Sequence, residues 1–583
     1  MITSWLNRFT EGQKVAAIVF LCIANLIFAH YYVILNCQLE MIMRYTDIFD
    51  NISGVLIDIC CIFVFCLLVS LGRLKTALLL CFGVSLLWSF SNVLYFRFFE
   101  AYLSLAPMGQ AHTLFDELMF KCMIHELRWV DCYYLLSLFL FILIYRNLGP
   151  HVSGKGVLFK KLILLTILCV FVALCIHVSW CLSAKNRRYV TFCMSYLYYG
   201  HVGSDLFLCA PRFTTYTRGF VRTLISEKYI NSQNGIELSA DQIEEISKSM
   251  DKSRNSMINT NVNHGIENVI FILVESYMSF TSGLKVAGED ITPNLNRLRQ
   301  DSTIYYNGKM CPNITIGESS DGQFIYMTGL LPLRSLLTIS RVGKMAHISG
   351  LAKVLKDSMG LETRMIIPTV ASVWNQDRMC QKYGFDKYYS SSDYPMTHSG
   401  YLNDYEVFKL AKDQDKQAKQ PFFSVILTMS MHQPYKEEVD PMFKINDLSL
   451  TTEQRCYLNA CHYTDAQIGD YLDFLKKTGI YEKSLIVIAA DHDVKKVALK
   501  SDDRQMIPLY IINGGIPRQQ YWQGECQQLD VYPTLLNLLG LKPKWSGLGH
   551  SLLNPEYENS VTDSIWKQSE WVVLGENNQC FFD

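Results

Sequence analysis

The chain has 583 residues, long enough for several folding units. Its formal net charge of −1 argues against nucleic acid held by charge. Half of its residues are hydrophobic and only 18% are charged, below the quarter or so of an ordinary soluble domain, and the deficit lies before residue 184.

Five apolar stretches occupy that region, at roughly 15–35, 54–72, 76–96, 132–147 and 161–183. Most reach the length of about 20 residues that carries a helix across a bilayer. The fourth is shorter but almost unbroken, "CYYLLSLFLFILIY". On a five-span path Arg8, Lys14, Arg73, Lys75, Arg146, Lys155, Lys160 and Lys161 fall on one side. Arg44, Arg97, Lys121 and Arg128 fall on the other. Cation-rich loops mark the cytoplasmic side, so the N-terminus is expected inside and everything after Ser183 outside. The first span is long and lacks a small-residue cleavage site, so no cleavable signal peptide is expected. Asp58 and His177 lie near the outer ends of their spans, where interfacial solvation accounts for them. Eleven of the 19 cysteines precede Ser183 and read as small membrane hydrophobes. The cysteines beyond it allow too many pairings for any disulfide to be assigned. The glycosylation patterns at Asn51 and Asn313 are short enough to be chance.

Residues 184–265 are polar, aromatic and mixed, and read as a juxtamembrane helical linker. "KNRRY" (185–189) suits anionic headgroups or a solvated stop signal equally. "ELSADQIEEISKSM" predicts a helix opened by a capping box between Ser239 and Gln242. From residue 266 buried strands alternate with helices. "NVIFILVES", "FFSVILTMS", "SLIVIAADH" and "IPLYIING" are continuous β-rich apolar runs, expected of parallel strands covered on both faces. Helical patterns such as "TPNLNRLRQD" and "YTDAQIGDYLDFLKKTG" lie between them. This alternation predicts a doubly wound α/β domain over 266–583, whose ligands gather at the carboxyl ends of the strands.

Those ends carry chemistry. Glu275 closes "LVES", Asp491 and His492 close "IAADH", and His432 follows "TMSM". Each alone reads as a cap or a solvated polar group. Together they supply two carboxylates and imidazole, a donor set for a hard-to-borderline divalent cation. "ITIGESSDGQF" (314–324) adds two serines at a predicted helix start. Locally this is capping chemistry. Beside a metal, however, a helix N-terminus favours an anion and a developing alkoxide. A hydroxyl so placed suits phosphoryl or sulfuryl transfer.

The outer region resembles the alkaline phosphatase/sulfatase superfamily, and with its apolar spans it is similar to the lipoteichoic acid synthase family of membrane phosphoglycerol transferases. The matching pieces run in order: "ILVESYMSF", "TPNLNRL", "GESSDGQF", "GLLPL", "VWNQDRMCQKYGFDKYY", "LTMSMHQPY", "YTDAQIGDYLDFLKKTGIYEKSLIVIAADH", "IPLYIING" and "LDVYPTLLNLLGL". The resemblance implies a five-helix transmembrane domain (1–183), the linker (184–265) and an extracytoplasmic sulfatase-like catalytic domain (266–583). It places the metal ligands on Glu275, Asp491, His492 and Ser319. Ser319 is also the nucleophile, where the family typically has threonine, and Ser320 is left to cap the helix. The substrate histidine falls on His432 and the substrate tryptophan on Trp374. The family's Trp-Asn-Arg reads Trp374-Asn375-Gln376 here, its upstream histidine is replaced within "IIPTV", and Asp493 follows the Asp-His pair. Arg378 is the nearest residue able to restore the missing charge.

The implied activity is transfer of a phosphoglycerol-type headgroup from a membrane phospholipid to a glycan or lipid hydroxyl. It would use one divalent ion, Mn²⁺ or Mg²⁺ before Zn²⁺, in a multi-pass protein of the cytoplasmic membrane. Phosphoethanolamine is the second headgroup to expect. A sulfatase-type hydrolase is the enzymatic rival, although "SSDGQ" lacks the Cys/Ser-x-Pro-x-Arg of aldehyde-forming sulfatases. A catalytically silent scaffold or lipid sensor would need none of these side chains.

Overall fold

Apart from short internal breaks, the computed structural model describes residues 9–36, 48–99, 124–149 and 235–582. The chain divides into two compact units, one holding the N-terminal apolar helices and the other including Asn234–Asp583.

In the first unit, helices Glu11–Asn36, Ile48–Val69, Leu74–Phe99 and Cys132–Arg146 are apolar around most of their circumference. Such helices satisfy every backbone group internally, as hydrocarbon requires. Val15, Ile18 and Cys22 pack with Leu78, Cys81, Phe82 and Phe141, and the Phe82 and Phe141 rings stack at 3.9 Å. Buried Cys22, Cys66 and Cys81 fill the small-hydrophobe role expected of them. Phe20, Phe65, Leu87 and Leu135 point outward, as lipid-facing side chains do.

Among the described residues, three segments are long and apolar enough to span a membrane: Glu11–Tyr32, Leu74–Arg97 and Trp129–Arg146. The expected second span coincides with the helix Ile48–Val69, in which Asp58–Val69 is a shorter apolar piece. The expected fifth span and His177 lie outside the described residues.

The two ends of this helix set differ in chemistry. At one, Lys14 Nζ donates to the Asn147 carbonyl (2.9 Å) and Lys75 Nζ to that of Leu148 (2.7 Å). These lysines satisfy carbonyls that follow the end of the helix Cys132–Arg146. At the other, the Arg97 guanidinium forks onto both oxygens of Asp131 at 2.6 and 2.8 Å and also donates to Tyr32 Oη. This pair is buried. Composition alone placed Arg97 in a loop tally, and the fork is the finding of the fold.

The second unit is built on one eight-stranded sheet. In chain order its strands are β1 (Asn268–Val274), β2 (Tyr305–Cys311), β3 (Glu362–Ile366), β4 (Lys387–Tyr389), β5 (Phe422–Leu427), β6 (Ser484–Ala490), β7 (Ile507–Ile512) and β8 (Cys526–Gln527). Their spatial order is β8-β2-β7-β6-β1-β5-β3-β4. Every residue of β1 and β6 is buried, which explains their unbroken Val/Ile/Leu/Ala runs. β1 lies between β5 and β6 and is parallel to both. The run "IPLYIING" differs from expectation: β7 pairs antiparallel with both β6 and β2. Full burial produces the same continuous apolar run in either direction, so composition cannot report strand polarity. The expected capping box is present, with Gln242 N donating to Ser239 Oγ and Ser239 N to Gln242 Oε1. Its helix, Ala240–Asn255, bonds within the second unit through Ser253 Oγ to the Ser546 carbonyl.

Candidate active site

The parallel trio β5-β1-β6 ends on one edge of the sheet, and each strand delivers a side chain there. Glu275 follows β1, and its N–H donates to Thr428 Oγ1 just beyond β5 (2.9 Å). Asp491 follows β6. Its Oδ1 accepts from the backbone N–H groups of Ser276 and His492, both at 2.8 Å. Ser276 adopts a left-handed φ of 55°, a strain of order 1–3 kcal/mol that surrounding structure must over-determine. Its hydroxyl donates to Glu275 Oε1 at 2.7 Å. Ser276 thus ties the two carboxylates together, a role that nothing in "LVES" marks.

His492 Nε2 lies 3.2 Å from Glu275 Oε1 and 3.8 Å from Asp491 Oδ1. One ligand atom from each of Glu275, Asp491 and His492 lies within 4.8 Å of the others, and all three residues are buried. That spacing matches two metal–ligand bonds of roughly 2.0–2.6 Å meeting at one ion. Charge points the same way. Burial alone would raise the Glu275 carboxyl, but the hydrogen bond and charge of His492, joined by His432, hold it well below its ordinary value. Burial and the Glu275 charge push Asp491 up to about 8. Burial opposes protonation of His492, and Asp491 and Glu275 overcome it, holding its pKa well above the ordinary imidazole range. Asp491 and His492 both retain protons in the ion-free cluster, and a bound cation would displace them. The donor set of oxygen and nitrogen without thiolate fits a divalent ion.

The helix Ser319–Thr328 presents its N-terminus to this cluster. Ser319 Oγ donates to Glu275 Oε2 at 3.1 Å and lies 3.1 Å from His492 Nε2. The two serines of the motif are thereby separated. Ser319 faces the carboxylate and imidazole, whereas Ser320 is buried and its hydroxyl donates back to the Gly317 carbonyl at 2.7 Å. Ser320 therefore does not accept a backbone N–H as the expected cap would. The residue ahead of the helix is Glu318, at a left-handed φ of 41°. Asp321 organises the approach instead. Its Oδ2 accepts from Thr315 N, Thr315 Oγ1 and Gly317 N at 2.7–3.0 Å.

Close packing brings the helix onto the metal edge. A Cβ on Gly322 would stand 2.1 Å from the Asp491 carbonyl oxygen, which leaves room only for glycine. That same carbonyl accepts from Gln528 Nε2 at 2.7 Å, a support with no signal in the sequence beyond an ordinary polar residue.

His432 is half-buried beyond β5. Its Nδ1 lies 2.6 Å from the Gln433 carbonyl, and its charge reaches Glu275. The turn carrying it is held by buried Asp404, whose Oδ1 accepts from Met429 N and Ser430 N at 2.7 and 2.9 Å. Trp374 and Asn375 stand at consecutive left-handed φ values of 54° and 52°. Arg378 is exposed on the following helix, Gln376–Tyr383. Asn313, at the second glycosylation pattern, is buried and its amide donates to Gln527 Oε1 at 2.8 Å. A glycan has no access to that amide in the folded chain.

A mostly parallel sheet with a serine-bearing helix N-terminus and a carboxylate–imidazole cluster at its carboxyl edge is an arrangement that suits a hydrolase or transferase. Residues 267–541 match the Sulfatase family. Lipoteichoic acid synthase 2 of Bacillus subtilis is 26% identical over 81% of this chain and 73% of its own length. Lipoteichoic acid synthase of Staphylococcus saprophyticus is 25% identical over 81% and 74%. Among solved structures, the lipoteichoic acid synthase LtaP from Listeria monocytogenes aligns with a TM-score of 0.46 at 20% identity, covering 57% of this chain and 97% of that one. These likenesses support a lipoteichoic acid synthase-like member of the alkaline phosphatase/sulfatase superfamily.

Proposed function

We propose that this chain transfers a phosphoglycerol-type headgroup from a membrane phospholipid to a hydroxyl of a glycan or lipid acceptor, outside the cytoplasmic membrane. Residues 1–183 would anchor it, 184–265 would join anchor to catalyst, and 266–583 would perform the chemistry. The observation that carries the reading is the position of Ser319 Oγ. It lies 3.1 Å from both Glu275 Oε2 and His492 Nε2, at a helix N-terminus.

Glu275, Asp491, His492 and Ser319 would hold one divalent ion, Mn²⁺ or Mg²⁺ before Zn²⁺. When bound, such an ion lowers the pKa of a coordinated hydroxyl and offsets charge on phosphoryl oxygens. Ser319 Oγ, entering as the alkoxide and leaving as the alkoxide at the end of the cycle, attacks phosphorus, and the bond from phosphorus to the diacylglycerol oxygen breaks. His432 gives that oxygen its proton. The acceptor hydroxyl then attacks the Ser319 phosphodiester, loses its proton to the same imidazole, and Ser319 is released. The positive end of the helix dipole at Ser319 favours the negative charge of the phosphoryl oxygens. Trp374 and Arg378 would contact the headgroup, with Trp374 covering its apolar carbons.

The test is brief exposure of the full-length protein to phosphatidylglycerol vesicles, followed by peptide mass spectrometry and assay of released diacylglycerol. A glycerophosphoryl adduct on Ser319, lost after chelation, is the expected result. An adduct on Ser320, or undiminished turnover after exhaustive chelation, would overturn it. Phosphatidylethanolamine vesicles run in parallel decide between the two headgroups.

A further inference from the structure

Two buried glutamines connect the nucleophile helix to the turn bearing Trp374. Gln323 follows Ser319 by four residues, on the same face of the helix. Its Nε2 donates to Gln376 Oε1 at 3.0 Å, and Gln376 Nε2 donates back to Gln323 Oε1 at 2.9 Å. The second N–H of Gln323 reaches Met365 Sδ on β3 at 3.2 Å. Gln323 is 2% exposed and Gln376 7%. Gln376 opens its helix directly after the two left-handed residues, and Asp377 N closes the turn onto the Ala371 carbonyl at 2.9 Å.

An aromatic residue and its neighbour both held at positive φ need an external constraint. Here that constraint is a reciprocal amide pair, which is directional in both partners at once. We infer that Gln323 and Gln376 are positioning residues: their paired carboxamides set the Trp374–Asn375 turn at a fixed place relative to Ser319. This rests on the transferase reading, in which that turn meets the donor headgroup. Gln376 carries no charge, and its amide is engaged by Gln323 in place of the headgroup. In this chain the pair builds the pocket wall without itself binding substrate.

The consequence is a division between substrates. A lipid donor must place its headgroup against the turn, whereas bis(p-nitrophenyl) phosphate brings no glycerol and needs only the nucleophile and metal cluster. In full-length protein, Gln376→Met keeps the volume and removes both hydrogen bonds. Its kcat/KM on phosphatidylglycerol vesicles should fall on the order of 10²-fold, mostly through KM, the loss typical of a misplaced positioning group. Hydrolysis of bis(p-nitrophenyl) phosphate and bound metal should stay at wild-type levels. The double variant Gln323→Met/Gln376→Met should lose no more than the worse single variant, because both remove one interaction. Amide hydrogen exchange at residues 373–377 should quicken in each variant, a readout independent of turnover. Equal losses on both substrates, additive losses in the double variant, or unchanged exchange at 373–377 would overturn the inference. A wild-type protein inactive on both phospholipids but showing the expected exchange changes would overturn the transferase reading and leave the pair standing as the anchor of the turn.

Discussion

At the scale of single residues, the site turns on which of two adjacent hydroxyls faces the cluster. Ser319→Ala should fold normally, keep its metal and form no covalent adduct, as read by thermal unfolding, metal analysis and peptide mass spectrometry. Ser319→Thr keeps a hydroxyl at the same atom and should retain measurable turnover. Ser320→Ala removes one buried hydrogen bond to Gly317, worth about 1 kcal/mol, so its unfolding midpoint should drop slightly while adduct formation persists. A second contrast concerns Asp491. Asp491→Asn preserves the Oδ1 acceptor for Ser276 N and His492 N, so fold should survive. Loss of a ligating carboxylate should weaken metal binding by more than the roughly 10–100-fold that follows loss of a supporting partner. Titration of dialysed protein with Mn²⁺ measures this, and unaltered affinity would remove Asp491 from the ligand set. Glu275, Asp491 and His492 were legible as a group because strand ends in a parallel sheet share one edge, whereas the choice of Ser319 over Ser320 rested on the family resemblance alone. Ser276 and Gln528 were not, since a short polar side chain carries no sign of which backbone group it will meet.

Elements meet at the site through close packing. The helix Ser319–Thr328 lies on the Asp491 carbonyl with no space for a side chain at Gly322. Gly322→Ala must displace either the helix or the β6 turn, at a cost of about 1–3 kcal/mol or more. It should also move Ser319 away from Glu275 and His492, and turnover should fall far more than stability does. Calorimetry with an activity assay checks this, and a variant both stable and fully active would contradict the packing. Asp404 acts between elements too. From the start of the helix Asp404–Gln417 it accepts two N–H groups of the turn after β5 and the hydroxyl of Thr464. Asp404→Ala would leave those donors buried without an acceptor, at roughly 1–3 kcal/mol for each unmatched group. The His432 turn should loosen, lowering kcat while Mn²⁺ affinity is kept. The capping box at Ser239 was legible because its partners are three residues apart. The direction of β7 was not, because burial on both faces erases any sequence mark of polarity.

For the whole molecule, the sidedness of the catalytic unit is the open prediction. Lysines and arginines bias one set of loops, and Lys14 and Lys75 converge on the same end of the helix set. A reporter fused near residue 220 should therefore be active only outside the cytoplasm, and cytoplasmic activity would overturn the span count. At the opposite end, Arg97→Ala would strand Asp131 in a buried position. Breaking a buried pair on one side costs about 3–5 kcal/mol, so this variant should lower the yield of folded protein, with Arg97→Ala/Asp131→Ala partly restoring it.

What the sequence by itself determined was local or periodic: apolar length for the helices, continuous strands for a covered sheet, and an ordered set of strand-end side chains for the candidate metal cluster. Each of these follows from one segment and its solvent. What only the tertiary structure decided was pairing between distant segments: Arg97 with Asp131, Gln323 with Gln376, and Gly322 against the Asp491 carbonyl. It also decided that Ser319 faces the cluster while Ser320 turns back to its own loop. Such pairings join groups separated by 34 to 169 residues, or depend on the hand of one turn. No residue announces its partner across that distance, because burial of both groups together, and not the preference of either, sets the free energy of the contact.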